Sequence, residues 1–195
     1  MVSPAISDPE QAPHHVTISQ ICRWVEAGWS VTTTEGAAMC WQCENPDKTT
    51  DDYLDVLRET IKDHRWAVQF VESDNRPFAY TVGLHEKGLP ELMVTGMQAQ
   101  TAAKLLNVIG GQMVDEGLVL QPAEHIDCGG RHLLEVVEVE HPDVHLKFAL
   151  SLYGPNVRAL QLVWADNAGR WPWDRGWGHG RRRQPVLGIR GPLPT

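Results

Sequence analysis

The sequence has little or nothing of several features that would place it in a common class of protein. It contains no apolar run long enough to span a membrane, and its first residues lack the basic start and apolar core of a signal peptide. Its four cysteines are too few and too unevenly spaced for a disulfide scaffold. A net charge of −8 argues against a chain built to bind nucleic acid or anionic lipid. These absences predict a reduced, cytoplasmic protein that does not associate with membranes.

Familiar catalytic and nucleotide-binding motifs are missing as well. The patterns G-x-S-x-G, G-x-G-x-x-G, the P-loop and H-E-x-x-H do not occur. The region from Met39 to residue 188 holds two serines, Ser73 in a polar stretch and Ser151 in a predicted helix. Neither serine follows the strand-to-turn pattern that exposes a nucleophile. Serine hydrolases and the classical nucleotide-binding enzymes are therefore disfavoured.

The pattern that is present is that of one α+β domain behind an N-terminal extension. Residues 1–38 hold a polar, proline-containing stretch and one short amphipathic helix, and residues 189–195 form a tail. Between them the apolar periodicity predicts strands and helices in no strict β-α-β order. The predicted strands are 66–72, 77–84, 90–97, 131–140 and 157–164, and the predicted helices are 49–64, 102–117 and 142–153. We therefore expect a single α+β domain over residues 39–188, with a mixed or antiparallel sheet flanked by helices.

Four stretches of the chain carry a resemblance to a known family. They are "MCWQCENP", "FAYTVGLHEKGLPEL", "LQLVWADNAGRWPWD" and "QPVLG", in that order. Together they resemble a bacterial family known as domain of unknown function 4262, over roughly residues 39–188. Members of that family typically start with Met-Cys-x-x-Cys, which implies that Met39 marks the start of the family domain. The resemblance implies no particular activity, because the family has none assigned.

The pair Cys40 and Cys43 allows three interpretations. Two thiolates at this spacing can bind one zinc ion, and His125 and Cys128 have the right chemistry and spacing for the other half of the site. A redox pair is the second interpretation, although a thioredoxin-like pair would follow a buried strand and begin a helix. The third is a purely structural pair in an N-terminal loop. The sequence alone leaves these three open, and zinc is the one candidate cofactor.

Candidate catalytic residues come from two stretches. His85 and Glu91 flank a Gly-Leu-Pro turn after a predicted strand that contains Tyr80, and Asp166 begins a turn after the last strand. Such groups can act as acid, base or positioning residues if the turns face one pocket. Equally, His85 can be a solvent-facing turn residue, and Asp166 can accept hydrogen bonds from the backbone of its own turn.

The tryptophan-rich segment near the C-terminal end supplies the candidate ligand-binding residues. Gln161 lies in an apolar strand, where a buried amide must find hydrogen-bond partners, and Trp171, Trp173 and Asp174 follow in a stiff, proline-containing loop. Aromatic rings beside charged groups suit sugars, peptide segments or bases, but they can also act as a lid over a sheet edge. Six arginines lie between residues 170 and 190, so nucleic acid is a third-ranked partner.

Two functional hypotheses follow. The first is a binding or interaction module that uses the tryptophan-rich loop, with zinc at Cys40 and Cys43 if that pair is a metal half-site. Its partner would be a small molecule or a protein. The alternative is a hydrolase or metal-dependent enzyme with a pocket around Tyr80, Glu91 and Asp166. The first is preferred, because no complete catalytic set can be assembled from the spacing of residues.

Overall fold

A computed structural model describes residues 47–72, 76–128, 133–180 and 184–190 of the 195-residue chain. The predicted N-terminal helix and the pair Cys40 and Cys43 lie outside these ranges. No helix in the ranges is both long enough and apolar enough to cross a bilayer.

Four helices and six strands make up the described part of the domain. The helices are α1 (Thr50–His64), α2 (Ala99–Asp115), α3 (Pro142–His145) and α4 (Lys147–Tyr153). The strands are β1 (Ala67–Val71), β2 (Phe78–Val82), β3 (Glu91–Thr95), β4 (His125–Asp127), β5 (Leu133–Glu138) and β6 (Ala159–Trp164). Single 3₁₀ turns occupy His85–Lys87 and Trp177–Gly180.

All six strands form one mixed sheet in the order β1-β2-β3-β6-β5-β4. Strands β3 and β6 are parallel and lie at the centre, with Met93 opposite Gln161. The other four pairs are antiparallel, among them β4 with β5, in which His125 lies opposite Glu135. The predicted α+β class with a mixed sheet flanked by helices is therefore confirmed.

Apolar residues cover both faces of this sheet. Alternate residues of the central strands, including Leu92, Leu160 and Leu162, pack against α2 on one face. The opposite face carries Tyr80 and Met93, which form a second cluster with the apolar sides of α1 and α4. Burial on both faces explains why the sequences of β3 and β6 are mostly apolar instead of alternating between apolar and polar residues.

Helix α1 shows how local sequence fixes an element boundary. The Thr49 side chain accepts a hydrogen bond from the backbone N–H of Asp52, and the Asp52 carboxylate accepts one from the backbone N–H of Thr49, which together form a capping box. The helix ends at Arg65, which has a left-handed φ of 76° and whose guanidinium pairs with Asp115. Helix α1 thus begins and ends where its sequence signals indicate.

Two elements differ from the expectation. The predicted helix 142–153 is divided into α3 and α4 at Leu146, a fully buried residue whose backbone is not helical and whose side chain joins the core beside α1. Strand β4 was not predicted, because three residues are too few for a periodic pattern. It exists through its pairing with β5 and adds an edge strand that carries His125.

Candidate functional site

The candidate site lies on the sheet face that carries α1 and α4, where residues 184–190 cross β6 and β5. We call these residues the C-terminal strap. Gln184 anchors one end of the strap: its side chain accepts a hydrogen bond from the backbone N–H of Trp164 (2.9 Å) and donates one to the Trp164 carbonyl (2.8 Å). Leu187 packs against the apolar cluster of this face. The strap therefore lies on the sheet face as a segment outside the helices and strands, held by its own contacts.

Gln161, a predicted ligand-binding residue, holds the backbone of this strap. Its Nε2 donates to the carbonyl of Pro185 at 2.7 Å, and its Oε1 accepts from the N–H of Leu187 at 2.7 Å. Thr95 on the neighbouring strand donates to the same Pro185 carbonyl and accepts a further hydrogen bond from Gln161. The fully buried amide thus finds its partners in the main chain of another segment.

The strap fits closely against β5 at Gly188. A Cβ atom built on this glycine would lie 1.8 Å from the carbonyl oxygen of Glu138, far inside any allowed contact. The Leu187 carbonyl next to it accepts a hydrogen bond from the N–H of Glu140 at 3.2 Å. Position 188 therefore admits only glycine while the strap is in place.

Glu135 forms the other end of the site. Its carboxylate lies in the middle of β5, is 1% exposed, and accepts two hydrogen bonds from Arg190, from Nε at 2.7 Å and from Nη2 at 2.9 Å. His125 lies opposite Glu135 in the sheet, with Nε2 at 3.1 Å from the same carboxylate. These hydrogen bonds and the ion pair hold the pKa of Arg190 above its ordinary value, against the opposing effect of burial.

Both predicted tryptophans stand beside this carboxylate in a series of ring contacts. The His125 ring lies 5.3 Å from that of Trp171, which is stacked at 5.4 Å and 12° on Trp173. The guanidinium carbon of Arg190 lies 3.7 Å from the centre of the Trp173 ring. The first and last residues of this series, His125 and Arg190, both bind Glu135. Trp173 is 37% exposed. We call these five residues the Glu135 cluster.

Asp166 and Asp174 accept hydrogen bonds within the tryptophan-rich loop. Asp166 accepts hydrogen bonds from the backbone N–H groups of Ala168, Arg170 and Gly178, and it pairs with the Arg170 guanidinium at 2.9 Å. Burial alone would raise the pKa of Asp166, but the hydrogen bonds from Arg170 and the backbone outweigh it and hold that pKa well below its ordinary range. Asp174 accepts from the N–H of Trp171 at 2.8 Å.

Glu91 and His85 meet at the 3₁₀ turn, but only through the backbone of His85. The fully buried Glu91 carboxylate accepts from the hydroxyl of Thr81 (2.6 Å), the N–H of Gly83 (2.8 Å) and the N–H of His85 (3.1 Å). Burial raises the pKa of Glu91, and these hydrogen bonds lower it by less. The imidazole of His85 instead lies 5.2 Å from the ring of Tyr153.

Tyr80 is buried against α4, in the apolar cluster on which Leu187 of the strap also packs. Its hydroxyl accepts a hydrogen bond from the backbone N–H of Phe148 at 3.4 Å. Burial raises the pKa of this phenol above its ordinary value, and that hydrogen bond opposes the rise. Of the predicted catalytic residues, Tyr80 and Asp166 thus contact neither each other nor the other two in the hydrogen bonds described above. Glu91 binds the backbone N–H of His85.

The predicted metal ligands are divided between the described and the remaining parts of the chain. Cys40 and Cys43 lie in the latter. His125 in β4 and Cys128 just after it face opposite sides of the sheet, since His125 contacts Glu135 and Cys128 packs against the cluster beside α2. Among the described residues, no group of three or more His, Cys, Asp and Glu side chains is arranged to hold a metal ion. The zinc hypothesis therefore stays a prediction about Cys40 and Cys43.

Sequence reasoning missed the two charged residues at the centre of the site. Glu135 interrupts the apolar run "LLEVVEVE", and a charge within a strand that is otherwise buried signals a buried ion pair. Arg190 was visible only as one of six arginines between residues 170 and 190. Its pairing with Glu135 joins positions 55 residues apart, which no local pattern reports.

Comparisons with known proteins place the chain in a family. The family model described as "Domain of unknown function (DUF4262)" matches residues 60–178, so the chain belongs to this family. The matched range lies within the predicted domain 39–188 and includes Glu135, His125, Trp171 and Trp173. Neither the search of curated proteins nor the search of solved structures gave a match.

Proposed function

We propose that this member of the DUF4262 family is a binding module for an extended polypeptide segment, which it holds across the sheet face that bears Gln161 and Glu135. The observation that carries the proposal is the double hydrogen bond from the Gln161 side chain to the backbone of the strap. Backbone groups are common to all polypeptides, so these contacts suit an extended segment of another chain equally well. The strap makes them within the same molecule.

Further contacts of the strap resemble those of a bound peptide. Gly188 fits a position that excludes any side chain, and Arg190 fills a charged and aromatic site at the end. The predicted ligand-binding residues Gln161 and Trp173 both touch the strap, and Trp171 supports Trp173. Main-chain hydrogen bonds combined with selective side-chain sites are typical of extended-peptide recognition.

In the resting protein a partner segment must compete with the strap. A short tether gives the strap an effective concentration on the order of millimolar at its own site. Added peptide therefore binds the unmodified protein weakly, and displacement of the strap reveals the full affinity. The experiment that tests the proposal has to release the strap without changing any residue that contacts the peptide.

The variant Gly188→Ala should release the strap without changing any residue that contacts the peptide. The added methyl group would collide with the Glu138 carbonyl, so the strap must leave β5, while Gln161, Glu135 and both tryptophans stay unchanged. The probe is the acetylated and amidated heptapeptide Gln-Pro-Val-Leu-Gly-Ile-Arg, the natural sequence of residues 184–190. We expect calorimetry to show binding to Gly188→Ala that is at least roughly tenfold tighter than to the unmodified protein.

Two matched controls accompany this measurement. Gly111→Ala places a methyl group on a helix position with nothing within 4 Å, so it should bind the peptide as weakly as the unmodified protein. A peptide with Ala in place of its Gly should fail to bind Gly188→Ala, because it meets the same Glu138 carbonyl. If Gly188→Ala is folded, its strap is displaced and the natural peptide still does not bind, the proposal is wrong.

The enzyme hypothesis gains no geometric support from its candidate residues. Asp166 accepts hydrogen bonds from its own loop, Glu91 accepts them from β2 and the turn after it, and Tyr80 accepts one from the backbone of α4. A hydrolase would bring such groups to one reacting centre. We therefore take the binding module as the function that the geometry supports best.

A further inference from the structure

We infer that the Glu135 cluster is a guanidinium-selective site, occupied at rest by Arg190, which selects an arginine side chain in the partner polypeptide. The inference rests on the proposed function, because it names the side chain that the peptide site accepts. Arg190 then has two roles: it is the last contact of the strap with the sheet, and it is the group that a partner's arginine replaces.

The geometry of the ion pair favours a guanidinium over an ammonium. Arg190 presents Nε and Nη2 to the two oxygens of Glu135, one hydrogen bond to each, in the parallel arrangement that only a planar fork provides. The guanidinium carbon lies 3.7 Å from the centre of the Trp173 ring. A lysine ammonium can satisfy a single charge contact but cannot make the paired hydrogen bonds and the close contact with the Trp173 ring together.

Burial of Glu135 makes the loss of the cation at this position costly. The side chain of Glu135 is 1% exposed, so its carboxylate has little water to stabilise its charge. His125 supplies one hydrogen bond to the carboxylate, which leaves the two directions used by Arg190. If Arg190 leaves, another donor of positive charge must take its place or the carboxylate remains buried without a cation. The vacant site would therefore attract a second guanidinium group.

The guanidinium of Arg190 can be replaced by that of a partner because the protein does not enclose it. Its side chain is 35% exposed, and Trp173 beside it is 37% exposed, so the outer side of the guanidinium site opens to solvent. The chain carries a net charge of −8, which favours the approach of a cationic segment. The elevated pKa of Arg190, which is due first to its hydrogen bonds with Glu135, is consistent with a site built for a permanent cation.

Chemical rescue of Arg190→Ala in the full chain tests the selectivity. The variant loses the cation, and we expect its melting temperature to fall and to recover partly in millimolar methylguanidinium. Methylammonium at equal ionic strength should give a clearly smaller recovery, since it makes no paired hydrogen bonds. The double variant Glu135→Gln/Arg190→Ala should show no difference between the two salts, and the unmodified protein should show no gain from either.

Arg190→Lys serves if Arg190→Ala does not fold. Lysine keeps the charge, so the chain retains a cation near Glu135, and methylguanidinium should still raise its melting temperature more than methylammonium does. Equal responses to the two salts, in whichever variant folds, would overturn the inference.

Peptide variants identify the source of the guanidinium group. Gly188→Ala is titrated with the heptapeptide carrying Arg, Lys or citrulline at its last position. We expect the Arg peptide to bind roughly tenfold more tightly than either of the others. Equal binding of all three would overturn the inference while the proposed function stands. Rescue by methylguanidinium without binding of any peptide would indicate a site for small guanidinium compounds, which overturns the polypeptide assignment and the proposed function with it.

Discussion

Glu91 and Glu135 are two carboxylates buried in the same sheet, and the difference between their partners separates a structural contact from a candidate site. Glu91 is fully buried and accepts hydrogen bonds from the hydroxyl of Thr81 and from backbone N–H groups of the turn that follows β2. Glu135 is almost as deeply buried, but its partners are an arginine from the C-terminal strap and a histidine from the edge strand.

The comparison indicates which partners of a buried carboxylate can be replaced by another group. All hydrogen-bond donors identified for Glu91 belong to the adjacent strand β2 and the turn after it, which cannot leave without unfolding the sheet. Arg190 reaches Glu135 from a segment that crosses the surface, and its guanidinium is partly in contact with water. A charged partner on a separate segment can be replaced by a similar group, whereas backbone donors cannot.

The largest expected effect concerns Glu91. Glu91→Ala should lower the free energy of unfolding by about 4 kcal/mol, since it removes the acceptor of three hydrogen bonds worth about 1–3 kcal/mol each when buried donors are left unpaired. Urea unfolding measures this change. Glu59→Ala, on the exposed surface of α1, is the control and should change the stability by less than about 0.5 kcal/mol. A loss below about 1 kcal/mol for Glu91→Ala would contradict the structural role.

A smaller loss is expected for Arg190→Ala, about 2–3 kcal/mol, because it leaves a buried carboxylate without its cation while part of the site is open to water. The same substitution should cost at least about 1 kcal/mol less in a Glu135→Gln background, where no buried charge remains. A double-mutant cycle by urea unfolding measures this coupling. Additive effects would mean that Arg190 stabilises the strap by packing on Trp173 rather than by binding Glu135.

The pH dependence should distinguish Glu91 from Asp166. Hydrogen bonds hold the pKa of Asp166 below its ordinary 3.8, so its contribution to stability is present above that pH and is lost as the pH falls. Burial raises the pKa of Glu91 above 4.5, so its contribution is present below that pH and declines as the pH rises.

Urea unfolding from acid to neutral pH tests these two signs. The difference in stability between the unmodified protein and Asp166→Asn should shrink towards low pH, whereas the difference from Glu91→Gln should shrink towards neutral pH. If both differences change in the same direction, one of the two hydrogen-bond networks has been assigned wrongly.

The smallest effect on the sites of Glu91 and Glu135 is expected from substituting Cys40 and Cys43. The zinc hypothesis predicts about one zinc ion per chain in protein purified without chelators, and its loss in Cys40→Ser/Cys43→Ser. Elemental analysis with native mass spectrometry measures this. His125 is engaged with Glu135 and Trp171, so binding of the heptapeptide should not change with zinc content. Absence of zinc from the unmodified protein would leave the redox and structural interpretations of the pair.

Much of the fold was predictable because its signals are local. Helix α1 follows from its capping box and apolar spacing, and the strand that contains Gln161 follows from its apolar run and flanking turns. Strand β4 and the break at Leu146 were not predictable, since each depends on what the rest of the chain packs against it. The same holds for the site. Gln161 and Trp173 were predicted as candidate residues from their residue type and local sequence, whereas Glu135 and Arg190 were not.

The sequence by itself determined the α+β class, most of the helices and strands, and the tryptophan-rich loop as the region of interest. Those conclusions need only periodicity, capping and turn residues, which act over a few positions. Only the tertiary structure decided the partner of each buried polar group. Gln161 meets Pro185 across 24 positions and Glu135 meets Arg190 across 55. Hydrogen bonds and ion pairs act over a few ångströms in space, so the pairing of the strands and the path of the strap determine which distant residues meet.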